Sequence, residues 1–176
     1  MKYYTGIGSR STPINIIKLM EQLGGYYARQ GFTLRSGGAQ GADSAFERGA
    51  LEAGGPCNIY LPWAGFNNHR SSLNYISDEA LHIAARNHPN WEACSGGARR
   101  LHARNVYQIL GYNLNVPTAF VVCWTPNGAG GGGTGQALRI AQVQATPIPI
   151  FDLGKPEVEG MARDLLFAQQ ETDVCS

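Results

Sequence analysis

The stretch Ser36-Gly37-Gly38-Ala39-Gln40-Gly41-Ala42-Asp43 sets a hydroxyl, three glycines and a carboxylate between a short apolar run and a segment rich in small residues (Ala42, Ala45, Ala50). This is the pattern of a strand, a glycine turn and a helix N-terminus. Such a turn exposes backbone N–H groups and aims the positive end of a helix dipole at one point, which suits a phosphate or another anion. Glycine is needed where a Cβ would hold the backbone away from a ligand. Asp43 falls in the first helical turn. A carboxylate there stabilises the helix N-terminus, and a contact with a ribose hydroxyl is its functional alternative. An ordinary tight turn is the competing reading of this stretch by itself, so its companions decide.

Three further groups carry anion-binding chemistry. Gly8-Ser9-Arg10 follows the first apolar run. A glycine run at 128–133 ends in Gly132-Gly133-Thr134, with Thr134 expected to cap a helix. Arg104 and Asn105 lie on a segment that also carries Arg99 and Arg100, and positions 100 and 104 share a helix face by their spacing. Trp63, Phe66 and Trp124 are candidates for stacking on a base, against the plainer reading that they pack the chain. No nucleophile–base pair or paired carboxylates can be assembled at known spacing, so no catalytic residue is assigned. Neither CxxC nor HxxxH occurs among Cys57, Cys94, Cys123, Cys175 and His69, His82, His88, His102, so no metal and no cofactor is expected.

The elements that must position these groups follow from periodicity. Strands are expected at 3–7, 32–35, 57–61, 119–124 and 147–151, and helices at 13–30, 42–53, 78–87, 98–111, 135–144 and 157–168. Thr12 reads as an N-cap with Pro13 at the first helical position, and Ser77 as the cap of the third helix. The alternation β-α-β-α-β indicates an α/β, Rossmann-like, doubly wound and mainly parallel sheet with helices on both faces. Residues 119–124 are an unbroken apolar run suited to the middle of such a sheet. The two prolines of 147–151 suit an edge. Ligands of these sheets sit beyond the carboxyl ends of the strands, where all three glycine-bearing loops fall. Residues 1–154 form the expected domain, with 62–96 as an insert over the ligand edge. Residues 155–176 form an acidic C-terminal helix and tail with a frayed end.

The chain has 176 residues, 43 % of them hydrophobic, enough for one domain with a sizeable core. Its net charge is +1, but the first 150 residues carry 12 basic and 7 acidic side chains, and the rest carry 2 and 6. The basic set is 11 Arg against 3 Lys, and arginine's planar fork suits phosphate. An excess of this size is modest for a protein held to DNA by backbone charge. The first residues lack the apolar core of a signal peptide, and no run reaches transmembrane length. Unpaired cysteines in apolar runs fit a reducing, cytoplasmic setting without membrane contact.

Taken together, Gly8-Ser9-Arg10, the SGGAQGAD turn with its alanine-rich helix, the Arg104-Asn105 pair and the GGTGQALRIA helix start resemble the SLOG superfamily. Within it, the chain is similar to the Rossmann-like domain of the DNA-processing protein A (DprA/Smf) family over most of residues 3–151. It is also similar to small stand-alone DprA-like proteins of phage genomes. The resemblance implies a nucleotide or nucleotide-derived signal of the ADP-ribose or cyclic-nucleotide type as ligand, sequestered by a phage anti-defence sponge. It also implies a homo-oligomer. Two alternatives come with it. One is a single-stranded-DNA-binding recombination mediator using Arg99, Arg100 and Arg104. The other is a nucleotide N-glycosidic hydrolase like the Lonely-guy phosphoribohydrolases. In the latter family's motif the catalytic glutamate position corresponds to Ala137 here, which argues against that activity unless Asp43 or Glu47 substitutes.

Overall fold

The computed structural model describes residues 1–174. Cys175 and Ser176, with the fraying expected at the chain end, lie outside the described residues. The elements follow in the order β1 (Lys2–Gly6), α1 (Ile14–Arg29), β2 (Phe32–Ser36), α2 (Ala42–Glu52), β3 (Cys57–Ile59), α3 (Asp78–Arg86), α4 (Gly96–Leu110), β4 (Val121–Cys123), α5 (Gly132–Gln142), β5 (Ile150–Asp152) and α6 (Pro156–Val174). All strand pairings are parallel, and the sheet order is β3-β2-β1-β4-β5. The doubly wound α/β expectation therefore holds, and β5 is at the edge as its two flanking prolines suggest.

Each face of the sheet buries its own core. Tyr4, Leu34 and Val122 point to a layer built with Leu19, Met20, Leu23 and Phe46 of α1 and α2, to which α6 adds Ala162. Val121 and Cys123 point the other way, onto Val106, Ile109, Leu138 and Ile140 of α4 and α5, with Ala80 and Ala84 of α3. The alternation of Val121, Val122 and Cys123 between the two layers follows from the two-residue period of a strand. It explains why a run buried on both sides reads as continuously apolar.

Three local expectations are corrected. Thr12 is not the cap of α1. Pro13 takes the N-cap position, and Thr12 Oγ1 instead donates to Ser9 O at 2.6 Å, which closes the loop after β1. Thr134 is not the cap of α5. The helix begins three residues earlier than expected, behind Gly131 in the N-cap position, so Thr134 lies within its first turn. The C-terminal helix spans Pro156–Val174, well beyond the expected 157–168. Ser77 does cap α3, accepting from Ala80 N at 3.2 Å. No described helix is long and apolar enough to cross a membrane.

The sheet order places the reversal of winding between β1 and β4. The chain moves outward from β1 through β2 to β3, then returns to the other side of β1 for β4 and β5. The crevice at such a switch point lies beyond the carboxyl ends of the two strands.

Candidate functional site

A cavity of about 730 Å³ occupies that crevice. Its volume lies within the usual range for small-molecule sites, roughly 300–1,000 Å³. Gly8, Ser9 and Arg10 reach it from β1, Ala39 and Asp43 from the turn after β2, and Arg104 and Asn105 from α4. Gly132, Gly133 and Thr134 reach it from α5, and Phe66 from the segment after β3.

The α5 N-terminus supplies the free donors. Gly135 N bonds to Gly131 O as the first helical hydrogen bond, so the amides of Gly132, Gly133 and Thr134 have no acceptor within the helix. Gly132 has φ +65°, which an L-residue rarely adopts. Asn105 ties this terminus to α4 by donating from Nδ2 to Gly133 O at 3.2 Å and to Gln136 Oε1 at 3.0 Å. The loop before it is fixed from β5. Asp152 Oδ1 accepts from Thr125 N and Gly154 N, both at 2.9 Å, and its Oδ2 accepts from the Thr125 hydroxyl. Thr125 Oγ1 in turn accepts from Gly130 N at 2.9 Å.

The turn after β2 behaves otherwise. Its anion is supplied by the protein. The Asp43 carboxylate accepts from Ala39 N at 3.3 Å, and the amides of Gly37 and Gly8 bond toward it as well. Arg104 lies 3.6 Å from the same carboxylate and donates from Nη1 to Gly37 O. Burial pushes Asp43 up to about 6, outweighing the opposing pull of Arg104 and of the three amides. Burial likewise lowers Arg104, with Asp43 acting the other way. The guanidinium Nε is buried and has no hydrogen-bond partner, and the group lies 5.9 Å from the Phe66 ring.

Of the residues that sequence spacing proposes, Ser36, Gly37, Gly38 and Gly41 are not among the cavity lining. Ser36 Oγ is buried and donates to Gly6 O at 2.7 Å. Gly37 leaves room for Arg104, since a Cβ there would overlap the guanidinium. Gly38 and Gly41, with φ +64° and +89°, shape the turn. Phe66 is the one of the three candidate stacking rings that contributes to the lining. Trp63 packs edge-on against it at 5.2 Å, and Trp124 packs into the core layer of α1 and α2. The expected basic face does not form: Arg104 is buried with Asp43, Arg100 is exposed and donates to Pro62 O, and Arg99 lies over Trp91.

Leu101, His102, Gln108 and Thr125 also line the cavity and were not singled out from the sequence. His102 and Gln108 stand three residues either side of Asn105, so the helical period of α4 carries the signal for both. Burial lowers His102 to about 4, helped by His88, Arg139 and Arg104 and opposed by a hydrogen bond with Gln136. A groove of similar volume, about 750 Å³, lies between α1, α2 and α6, away from the strand ends, and is lined by Lys18, Glu21, Arg29 and Glu52 among others.

No family model matches the chain, and no curated protein matches it. The fold is similar to that of the molybdenum cofactor carrier protein of Chlamydomonas reinhardtii, with a TM-score of 0.54 and 20 % identity over 94 % of this chain and 85 % of that one. At that identity the likeness concerns the fold.

Proposed function

We propose that the chain binds a phosphorylated small molecule, a nucleotide or nucleotide-derived signal, in the cavity beyond β1, β2 and β4. One observation carries the reading: Gly132, Gly133 and Thr134, whose amides are unpaired, line a single cavity of nucleotide size together with exposed Arg10 and buried Arg104. The amides and Arg10 hold phosphate, and Phe66 offers a ring to a base. Asp43 already occupies the amides of the β2 turn, which directs the ligand's charge to the α5 side. The fold is shared with a carrier of a cofactor, and carriage without turnover is in keeping with a wall that shows Ala137 where a hydrolase of the Lonely-guy type needs glutamate. The resemblance to the SLOG superfamily points to an ADP-ribose-type or cyclic nucleotide, and to its sequestration as an anti-defence role.

The test is native mass spectrometry of the purified chain, then calorimetric titration with ADP-ribose and cyclic nucleotides. Saturable binding that weakens at least about tenfold in Arg10→Ala is expected. Arg10 is exposed, so that variant stays folded. Absence of binding across the panel, or equal binding by Arg10→Ala, refutes the site.

One observation favours a second reading. Asp43 lines the cavity and titrates near 6, the range of a catalytic acid or base. A hydrolase of this kind releases product from a nucleotide panel and loses that activity in Asp43→Asn, whereas a pure binder returns every nucleotide intact.

A further inference from the structure

Outside the anion-binding groups, the segment between α3 and α4 brings three ligand-bearing side chains together. His88 follows α3, Cys94 ends a short 3-10 turn at Trp91–Ala93, and His102 lies on α4. One nitrogen or sulfur atom from each lies within 4.8 Å of the other two. Cys94 Sγ is 3.7 Å from His88 Nε2 and 3.8 Å from His88 Nδ1, so the ring turns a nitrogen-bearing edge to the sulfur and either nitrogen can be brought to an ion. The two imidazoles stand 4.4 Å apart, centre to centre. His102 Nδ1 is buried and has no hydrogen-bond partner, while Gln136 engages the same ring through a hydrogen bond.

We infer that His88, Cys94 and His102 form a site for a borderline-soft divalent metal of the zinc class, at the wall of the cavity. A tetrahedral zinc with Zn–S of about 2.3 Å and Zn–N of about 2.0–2.1 Å places its sulfur and nitrogen ligands roughly 3.5 Å apart. The Cys94–His88 separation of 3.7–3.8 Å is close to this, and His102, whose ligand atom lies within 4.8 Å of the other two, closes by up to about 1 Å. Two imidazoles and one thiolate are the donor set that selects zinc-class ions over magnesium or calcium. Gln136 on the His102 ring serves as the outer partner that fixes a ligating imidazole. Metal binding releases the Cys94 thiol proton to solvent, and it ends the 3.1 Å hydrogen bond from Asn90 N to His88 Nδ1: either Nδ1 itself ligates, or the ring proton moves to Nδ1 and Nε2 ligates as a neutral imidazole. Three protein ligands leave the fourth position to water, the arrangement of open rather than purely structural zinc sites. His102 also lines the cavity, so the site borders it. The irregular spacing, five residues between His88 and Cys94 and seven between Cys94 and His102, keeps the set out of reach of sequence patterns.

The site stands whether or not the cavity takes a nucleotide, and its test uses metal alone. The full chain is stripped with a chelator, then titrated with Zn²⁺ against a chromophoric competitor and with Co²⁺ by absorption. One equivalent per chain is expected, with a sulfur-to-cobalt charge-transfer band and tetrahedral ligand-field bands. Cys94→Ser loses the band, and Cys94→Ser and His88→Ala each weaken Zn²⁺ by at least about 100-fold. Neither residue is buried, so both variants keep the fold, checked by circular dichroism. Cys57→Ser and Cys175→Ser bind as the parent does. The inference is overturned if the parent chain takes up no stoichiometric metal, or if Cys94→Ser binds as tightly as the parent.

Discussion

Arg104 and Gly37 share one volume. The Gly37 carbonyl accepts from the Arg104 guanidinium, and a Cβ on Gly37 would fall onto that same group. The glycine that reads as a ligand cradle is therefore a cradle for an arginine of the protein itself. Gly37→Ala expels the guanidinium from its seat beside Asp43. Overpacking of this kind costs about 1–3 kcal/mol, and the broken buried hydrogen bond adds to it. A fall in the midpoint of urea unfolding of that size, with nucleotide binding weakened in parallel, is the expected outcome.

Arg104→Met removes the partner of a buried carboxylate. Asp43 is 3 % exposed and keeps only its backbone donors in the variant. Breaking a buried pair from one side costs about 3–5 kcal/mol when the other charge stays ionised. Burial already raises Asp43, and without Arg104 it rises further. The loss is therefore expected to be smaller at pH 5 than at pH 8, as measured by denaturant melts at the two values.

Asp43 also sets a pH dependence in the parent chain. Its folded value, about 6, is above the usual value of 3.8. The folded state therefore holds the proton more tightly than the unfolded one, and stability falls as pH rises between those values. The shift corresponds to an effect on the order of 3 kcal/mol. Asp43→Asn removes this slope, so its stability relative to the parent grows from pH 4 to pH 7. Equal slopes for the two proteins would show that another group governs this range.

Asp152→Ala releases Thr125 N, the Thr125 hydroxyl and Gly154 N at once. Thr125 then no longer has its hydroxyl fixed to receive Gly130 N. The variant is expected to lose about 2–3 kcal/mol, from buried donors left without an acceptor. It is also expected to lose affinity in the cavity, through a larger dissociation rate. Thr125→Val, which keeps the backbone donor to Asp152, loses less stability.

The two layers of the fold were legible because their signal is local. The strand-to-helix alternation, the apolar run through Val121, Val122 and Cys123, and the prolines before Ile150 each report on one element and its neighbours. The start of α5 was less legible, because glycine's low helix propensity places the boundary after the glycine run, whereas the side chain of Asn105, distant in sequence, ties the Gly133 carbonyl into the first turn. The occupation of the β2 turn by Asp43 was not legible. It depends on Arg104, 61 positions later, and no local pattern reports which anion a nest of amides will take. His102 and Gln108 were missed for a different reason. Both lie on a helix whose arginines dominate its pattern, although their spacing of three residues from Asn105 places them on the same face of α4.

Asp152 belongs to the strand at the sheet's edge, paired on one side only, with β4. Outer strands open to solvent at lower free energy than central ones. The glycine loop hangs from this strand through Thr125 and Gly130, so its amides inherit the breathing rate of β5. In hydrogen exchange, Gly130 N, bonded to Thr125 Oγ1, then exchanges together with Leu153 N, bonded to Cys123 O, and ahead of the β1–β2 amides. The rim of the cavity loosens on the timescale of the sheet margin, while its floor at Gly8 and Asp43 moves with the slowest part of the molecule.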